Sequence, residues 1–243
     1  MSLPSQWLVP DWPAPANVRA FVTTREGGVS EGEFASMNLG IASGDDPARV
    51  HRNRDILRTY LPSDGPWLRQ VHGTQVVDLD REGERTGDAC VTRTPGRVAG
   101  VLTADCMPLF LADVHGRVVA AAHAGWRGMA AGVIESTLDA MAVPAQEVVA
   151  WMGPTIGPDA FEVGPEVREA FVATDKDAGE AFRPHVPGKF MADLYTLARR
   201  RLQRAGVTRI HGGGFCTFHE RDRFFSYRRV KASGRMGSFL WIK

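Results

Sequence analysis

The stretch Val98–Met141, VAGVLTADCMPLFLADVHGRVVAAAHAGWRGMAAGVIESTLDAM, decides the fold class. It holds three short apolar runs, Val98–Thr103, Met107–Ala112 and Val118–Ala122, each of strand length. The runs are continuous rather than alternating, the pattern of strands covered on both faces. After Gly125 the period changes. Trp126, Met129, Ala130, Val133, Ile134, Thr137, Leu138 and Met141 recur at helical spacing, predicting one helix of about four turns. The small side chains of Val119–Ala122 imply a neighbour packed very close to that strand. Strands feeding a helix make a layered α/β protein.

Working outward, Asp46–Leu61 reads as a helix, with Asp46 as cap, Pro47 in the first turn, and Val50, Leu57, Tyr60 and Leu61 on one face. A third helix starts at about Asp193, turns Leu194, Leu197, Ala198, Leu202 and Ala205 inward, and stops at Gly206. Further strands are expected at Val148–Met152, Arg209–Phe215 and Ser238–Ile242. There is no internal repeat, and glycine and proline are spread evenly. Residues 1–243 therefore read as a single layered domain, α/β (α+β), with mixed β-sheets and flanking helices.

Composition narrows the function classes. The 29 Lys and Arg balance 28 acidic residues, so the chain offers no electrostatic footprint for nucleic acid or an anionic membrane. The one basic cluster, Arg199-Arg200-Arg201 with Arg204, reads as the solvated face of a helix. The N-terminus lacks the cationic start and apolar core of a signal peptide, and no run approaches the ~18 apolar residues of a membrane span. Cys90, Cys106 and Cys216 are distant and odd in number, which suits a reducing compartment. A cytoplasmic protein is expected, with no nucleic-acid, membrane or obligate protein partner.

Three polar residues stand where strands stop, the place where layered α/β folds bind ligands. Cys106 lies between two apolar runs, His123 joins the Ala-rich strand to the Gly125 helix, and His72 sits in Gln70-Val71-His72-Gly73. Each alone has an ordinary structural explanation. No zinc-finger spacing is present, so three scattered N and S ligands with an open fourth position would form a catalytic metal site, not a closed structural one. The same residues also permit a thiol hydrolase, with Cys106 as nucleophile and a histidine as base.

Taken together, the motifs resemble a known family. They are Phe21–Gly28 (FVTTREGG), Met37–Gly40 (MNLG), Trp67–Gly73 (WLRQVHG), Leu102–Asp113 (LTADCMPLFLAD) and Ala122–Gly128 (AHAGWRG), followed by Met152–Val163 (MGPTIGPDAFEV), Lys189–Leu194 (KFMADL) and Phe225–Arg229 (FSYRR). In this order they resemble the YfiH-type laccase-domain, or polyphenol-oxidase-like, family across nearly the whole chain. The resemblance implies a single α/β domain with mixed sheets and a zinc site on His72, Cys106 and His123. It implies purine nucleoside phosphorylase activity, with adenosine deaminase and methylthioadenosine phosphorylase activities beside it. Bacterial relatives have also been linked to hydrolytic editing of cell-wall precursors. The chain departs from the pattern at Val230-Lys231-Ala232-Ser233, where an Asp-Gly-containing turn is commoner before Gly234-Arg235.

The expected substrates are phosphate and adenosine, inosine, guanosine or methylthioadenosine, and Arg25, Asn38 and Arg228 are the candidate substrate contacts. Arginine forks match phosphate oxygens, and an asparagine can read a base or sugar edge. The bland alternatives are a surface salt bridge for Arg25, a turn residue for Asn38 and a strand-exposed charge for Arg228. Asp105 is the candidate outer carboxylate that orients a ligand. Cys90 and Cys216 are expected to be inert, and His51, His115, His185 and His219 to be surface residues. For deamination, zinc-activated water would attack purine C6. Copper is a second candidate at the same site, but a multicopper oxidase needs many more histidines than the seven here, which include no His-x-His pair. The alternatives carried forward are an amidase acting on a cell-wall precursor and a metal-binding module without catalysis.

Overall fold

The computed structural model describes residues 2–243. Six strands, β2 (Val76–Asp78), β3 (Ala89–Thr92), β5 (Met107–Asp113), β6 (Val119–Ala124), β7 (Val148–Met152) and β11 (Arg209–Gly212), form a mixed sheet in the order β11-β7-β5-β6-β3-β2. Its middle pairings are antiparallel, and the two outer ones, β11 with β7 and β2 with β3, are parallel. A second sheet is antiparallel, with β12 (Met236–Ile242) between β1 (Val18–Val22) and β4 (Ala99–Thr103). A small third sheet has β10 (Phe190–Ala192) between β8 (Glu162–Val163) and β9 (Phe182–Pro184).

The continuous apolar runs are explained by what covers each face. Ala120, Ala122 and Ala124 of β6, with Leu109 and Leu111 of β5, pack into a core shared with α3 (Val133–Met141) and α5 (Leu194–Arg204). The alternate residues Val119, Ala121, Phe110 and Ala112 meet Ala99, Val101, Leu240 and Ile242 of the second sheet. The strand period of two therefore sends successive apolar residues into cores on opposite sides of the sheet. The alanines of β6 let both layers approach closely, and enlarging Ala121 should cost about 1–3 kcal/mol in overpacking.

The helices begin where expected. In α1 (Pro47–Arg58) the Asp46 carboxylate caps Ala48 N–H and Pro47 occupies the first turn. Asp193 caps α5 by accepting from Tyr195 and Thr196 N–H. The single helix expected after Gly125 is instead two, α2 (Trp126–Ala131) and α3. Gly132 divides them at φ 107°, closing α2 through its N–H to Gly128 and Met129 carbonyls. The apolar period survives this turn because both helices face the same core. The strand expected at Arg209–Phe215 ends at Gly212, because Gly212, Gly213 and Gly214 all take positive φ and lead the chain off the sheet. Helix α4 (Pro165–Val172) and the strands of the third sheet were not foreseen.

The arginines of α5 are not a free solvated face. Arg200 and Arg204 bridge to Asp175 and Arg201 to Glu135, tying α5 to its neighbours. Among the described residues, no helix is long and apolar enough to cross a membrane.

Candidate metal centre

Cys106 occupies the turn between β4 and β5, His123 lies on β6 next to its end, and His72 sits in the loop before β2. Their ligand atoms all lie within 4.8 Å of one another, although the residues come from three separate parts of the chain. The two imidazole rings meet edge to face with centroids 4.8 Å apart.

Asp88, immediately before β3, organises both histidines. It is fully buried, and its Oδ1 meets His123 Nδ1 at 2.8 Å. The same carboxylate accepts backbone N–H bonds from Val71 (3.0 Å), His72 (2.8 Å) and Gly73 (2.8 Å). Ring and loop are thus set by one side chain. With Nδ1 engaged by a carboxylate, Nε2 of His123 is the nitrogen left to act as a ligand. His72 takes a left-handed backbone, φ 61°, which the three convergent N–H bonds support. Gln70 fixes the other end of this loop, donating to Leu102 O and accepting from Leu102 N, both at 2.8 Å.

The electrostatics favour a thiolate. Burial alone would push the Cys106 thiol up, but the charges and hydrogen bonds of His123 and His72 hold it down at about 6. Burial also opposes the charged form of His123, yet Cys106 and Asp88 raise that ring to about 9. Gly125 is required by this packing: a Cβ there would lie 2.8 Å from Cys106 Sγ and 3.3 Å from His72 Cδ2. Two imidazoles and a thiolate suit zinc or copper, and ligands of a tetrahedral zinc stand roughly 3.5 Å apart, a small side-chain adjustment from this arrangement. The other cysteines differ. Burial pushes Cys90 up to about 12, and half-buried Cys216 accepts a bond from Gly157 N–H at its Sγ.

The expected outer carboxylate, Asp105, does not touch the histidines. It lies at φ 83° and accepts from Thr217 Oγ1 and Arg228 N, both at 2.6 Å, so it staples the C-terminal loops to the Cys106 turn. Asp88 holds the histidines instead. Its only sequence signal is an acid preceding a buried strand, and it reaches His123 because β3 pairs with β6, placing Ala89 opposite Ala122.

The structure does not bring the three expected substrate contacts together in one way. Arg228 is exposed, donates to Glu162 O at 2.7 Å and lies over Phe161. Arg25 is half-buried, donates to Ala35 O (2.9 Å) and Arg221 O (3.0 Å), and lies over Phe225. Asn38 is fully buried, with its amide bonded to Ser43 Oγ, Asp45 Oδ2, Gly40 N and Arg235 N. That leaves it nothing to offer a substrate.

Residues 19–243 match the family described as multi-copper polyphenol oxidoreductase laccase. The chain is 54% identical over 238 residues to a purine nucleoside phosphorylase of Pseudomonas aeruginosa, covering 98% of both chains. It is 50% identical over 242 residues to the purine nucleoside phosphorylase YfiH of Escherichia coli, covering 98% of this chain and 99% of that one. Among solved structures, a Neisseria meningitidis protein aligns with TM-score 0.94 at 48% identity, covering 98% of this chain and all of the other. YlmD of Geobacillus stearothermophilus aligns with TM-score 0.91 at 29% identity, over 100% of this chain and 98% of its own.

Proposed function

The chain belongs to the multi-copper polyphenol oxidoreductase laccase family, and on that premise we propose that it is a zinc-dependent purine nucleoside phosphorylase centred on His72, Cys106 and His123. The observation that carries this reading is the Asp88 carboxylate holding two histidines around one thiolate. Three ligands of N and S type with a fourth position open are the pattern of a catalytic zinc site. The names of the similar Pseudomonas and Escherichia proteins supply the reaction. Seven histidines, with one three-ligand group among the described residues, cannot build an oxygen-reducing multicopper cluster, so copper ranks second here.

Phosphorolysis joins a phosphate oxygen to C1′ of the nucleoside as the C1′–N bond breaks, and the departing base takes a proton. Inosine, guanosine, adenosine and methylthioadenosine are the proposed substrates. A bound zinc would supply Lewis-acid polarisation and lower the pKa of a coordinated water, chemistry suited to deaminating adenosine. The protein's part is to fix the His123 tautomer through Asp88, keep Cys106 ionised and hold phosphate with arginines. Arg25 and Arg228 are proposed as phosphate contacts through the N–H groups their carbonyl partners leave free. Asn38 acts as a positioning residue. The free cysteines fit a reducing cytoplasm.

The test is product analysis by mass after metal-loaded protein meets a nucleoside panel with and without phosphate. Adenine and ribose-1-phosphate from adenosine, only with phosphate present, support the reading. No turnover of any nucleoside by zinc-loaded protein refutes it.

A second reading has one observation in its favour: Cys106 lies within 4.8 Å of His123, which Asp88 holds, an order like that of a nucleophile, base and orienting acid. That would make an amidase on cell-wall precursors. It leaves His72 without a task, whereas the metal reading uses it. A zinc thiolate should alkylate slowly until a chelator is added, while an acyl adduct trapped on Cys106 would establish the amidase.

A further inference from the structure

Arg235 stands just before β12, whose Met236 pairs with Thr103 where β4 runs into the Cys106 turn, and sequence reading gave it no role. It is half-buried, and among the described residues no carboxylate lies within ion-pair distance of it. Its Nη1 donates to Ser233 O (2.5 Å) and Gly234 O (3.0 Å), while Nε and Nη2 meet no acceptor among the described residues. Burial holds this guanidinium below the ordinary arginine value, and the charges of Cys106, Asp105 and Tyr227 bear on it. The half-exposed Tyr227 ring lies 5.9 Å from it.

The Met37–Gly40 run is built around this arginine. Asn38 Oδ1 accepts from Arg235 N at 2.9 Å, and Leu39 N donates to Arg235 O at 3.1 Å. Asn38 is itself fixed by Asp45 and Ser43, at 2.9 and 2.8 Å. A Cβ on Gly40 would come within 2.6 Å of Arg235 Cγ, so glycine is what lets the arginine stem lie along this loop. Arg229 is more fully committed, donating to the carbonyls of Thr217, Phe218 and Phe224, whereas Arg25 and Arg228, each stacked on a phenylalanine, keep free N–H groups that can share the same anion with Arg235.

We propose that Arg235 binds the phosphate co-substrate beside Cys106, with Asn38 and Gly40 as the positioning residues that aim it. The residue assignment rests on the phosphorylase reading for its ligand. A partly desolvated guanidinium with two unused N–H groups presents a planar fork, and phosphate offers the matching pair of oxygens and the missing negative charge. The run Met37–Gly40 then serves to hold that fork in place.

Calorimetric titration of inorganic phosphate into the zinc-loaded protein tests this without turnover. Arg235→Gln should weaken phosphate binding about 10–100-fold, the value of hydrogen bonds to a charged group. Arg235→Lys should fall between, and Gly40→Ala should lose part of the affinity with zinc content and folding unchanged. In phosphorolysis the KM for phosphate should rise in parallel while the KM for nucleoside stays. Phosphate binding by Arg235→Gln or Arg235→Lys equal to wild type overturns the proposal, as does a wild type that binds no phosphate. Arg235-dependent phosphate binding without nucleoside cleavage would support this site while refuting the phosphorylase reading. If Arg235→Gln does not fold, the lysine and Gly40→Ala variants decide.

Discussion

Replacing Asp88 with asparagine changes one oxygen to an amino group at the point where four hydrogen bonds converge. In the wild type Oδ2 accepts from Val71 and Gly73 N–H, and Oδ1 from His72 N–H and His123 Nδ1. Asparagine keeps one acceptor, so whichever way it turns, two donors face a donor. Outer partners of metal-bound histidines are worth 10–100-fold in metal affinity, about 1.4–2.7 kcal/mol. Two lost bonds to a charged acceptor at about 1.5–3 kcal/mol each, shared within one loop and so not additive, give roughly 3 kcal/mol of stability. Competition against a chelator measures the first quantity and urea unfolding of the metal-free protein the second. Zinc affinity within twofold of wild type, together with an unchanged urea midpoint, would refute the claim that this carboxylate organises the centre.

Gly125→Ala should reduce zinc binding and cost about 1–3 kcal/mol, because its Cβ lies 2.8 Å from Cys106 Sγ while the backbone, at φ −69°, is unstrained; wild-type zinc content in a chelator competition would contradict it. Asp113 is fully buried, and although burial raises its carboxyl, the bonds and charge of Arg117 hold it below the ordinary carboxylate value. A lowered pKa adds stability that is present above the unfolded value of about 3.9 and lost as pH falls through the lower folded value. Asp113→Asn should therefore be less stable by about 1–2 kcal/mol at pH 7, a modest figure because Arg117 is more than half exposed. Urea unfolding should show that gap closing below about pH 4, and a constant gap across the acid range would contradict the assignment.

The layered fold was legible because the central strands are buried on both faces, and a run such as Met107–Ala112 carries that in every residue. The cores and caps of α1 and α5 were legible for a local reason: Asp46-Pro47 and Asp193 satisfy the first turn from adjacent positions. The break at Gly132 was not, since apolar spacing records which side faces the core and not whether the axis bends. The strands of the third sheet, two or three residues each, are too short to show any period. At the site, the three proposed ligands could be named from motifs, but their meeting depends on strand pairing. Asp88 and Arg235 stayed hidden for the same reason. One acts across the β3–β6 pairing and the other across a 197-residue separation from Asn38. Asp105, adjacent to Cys106 in sequence, drew the assignment that belongs to Asp88.

Everything in this account depends on one metal ion bound by His72, Cys106 and His123. X-ray absorption at the zinc edge, on protein purified without chelator and on its Cys106→Ser variant, tests it most directly. The account predicts one zinc per chain, with a shell containing two imidazole nitrogens and one sulfur at about 2.3 Å, and loss of the sulfur with most of the zinc in the variant. A wild-type protein that binds no zinc even when it is supplied, or a bound zinc whose shell lacks sulfur, would contradict it.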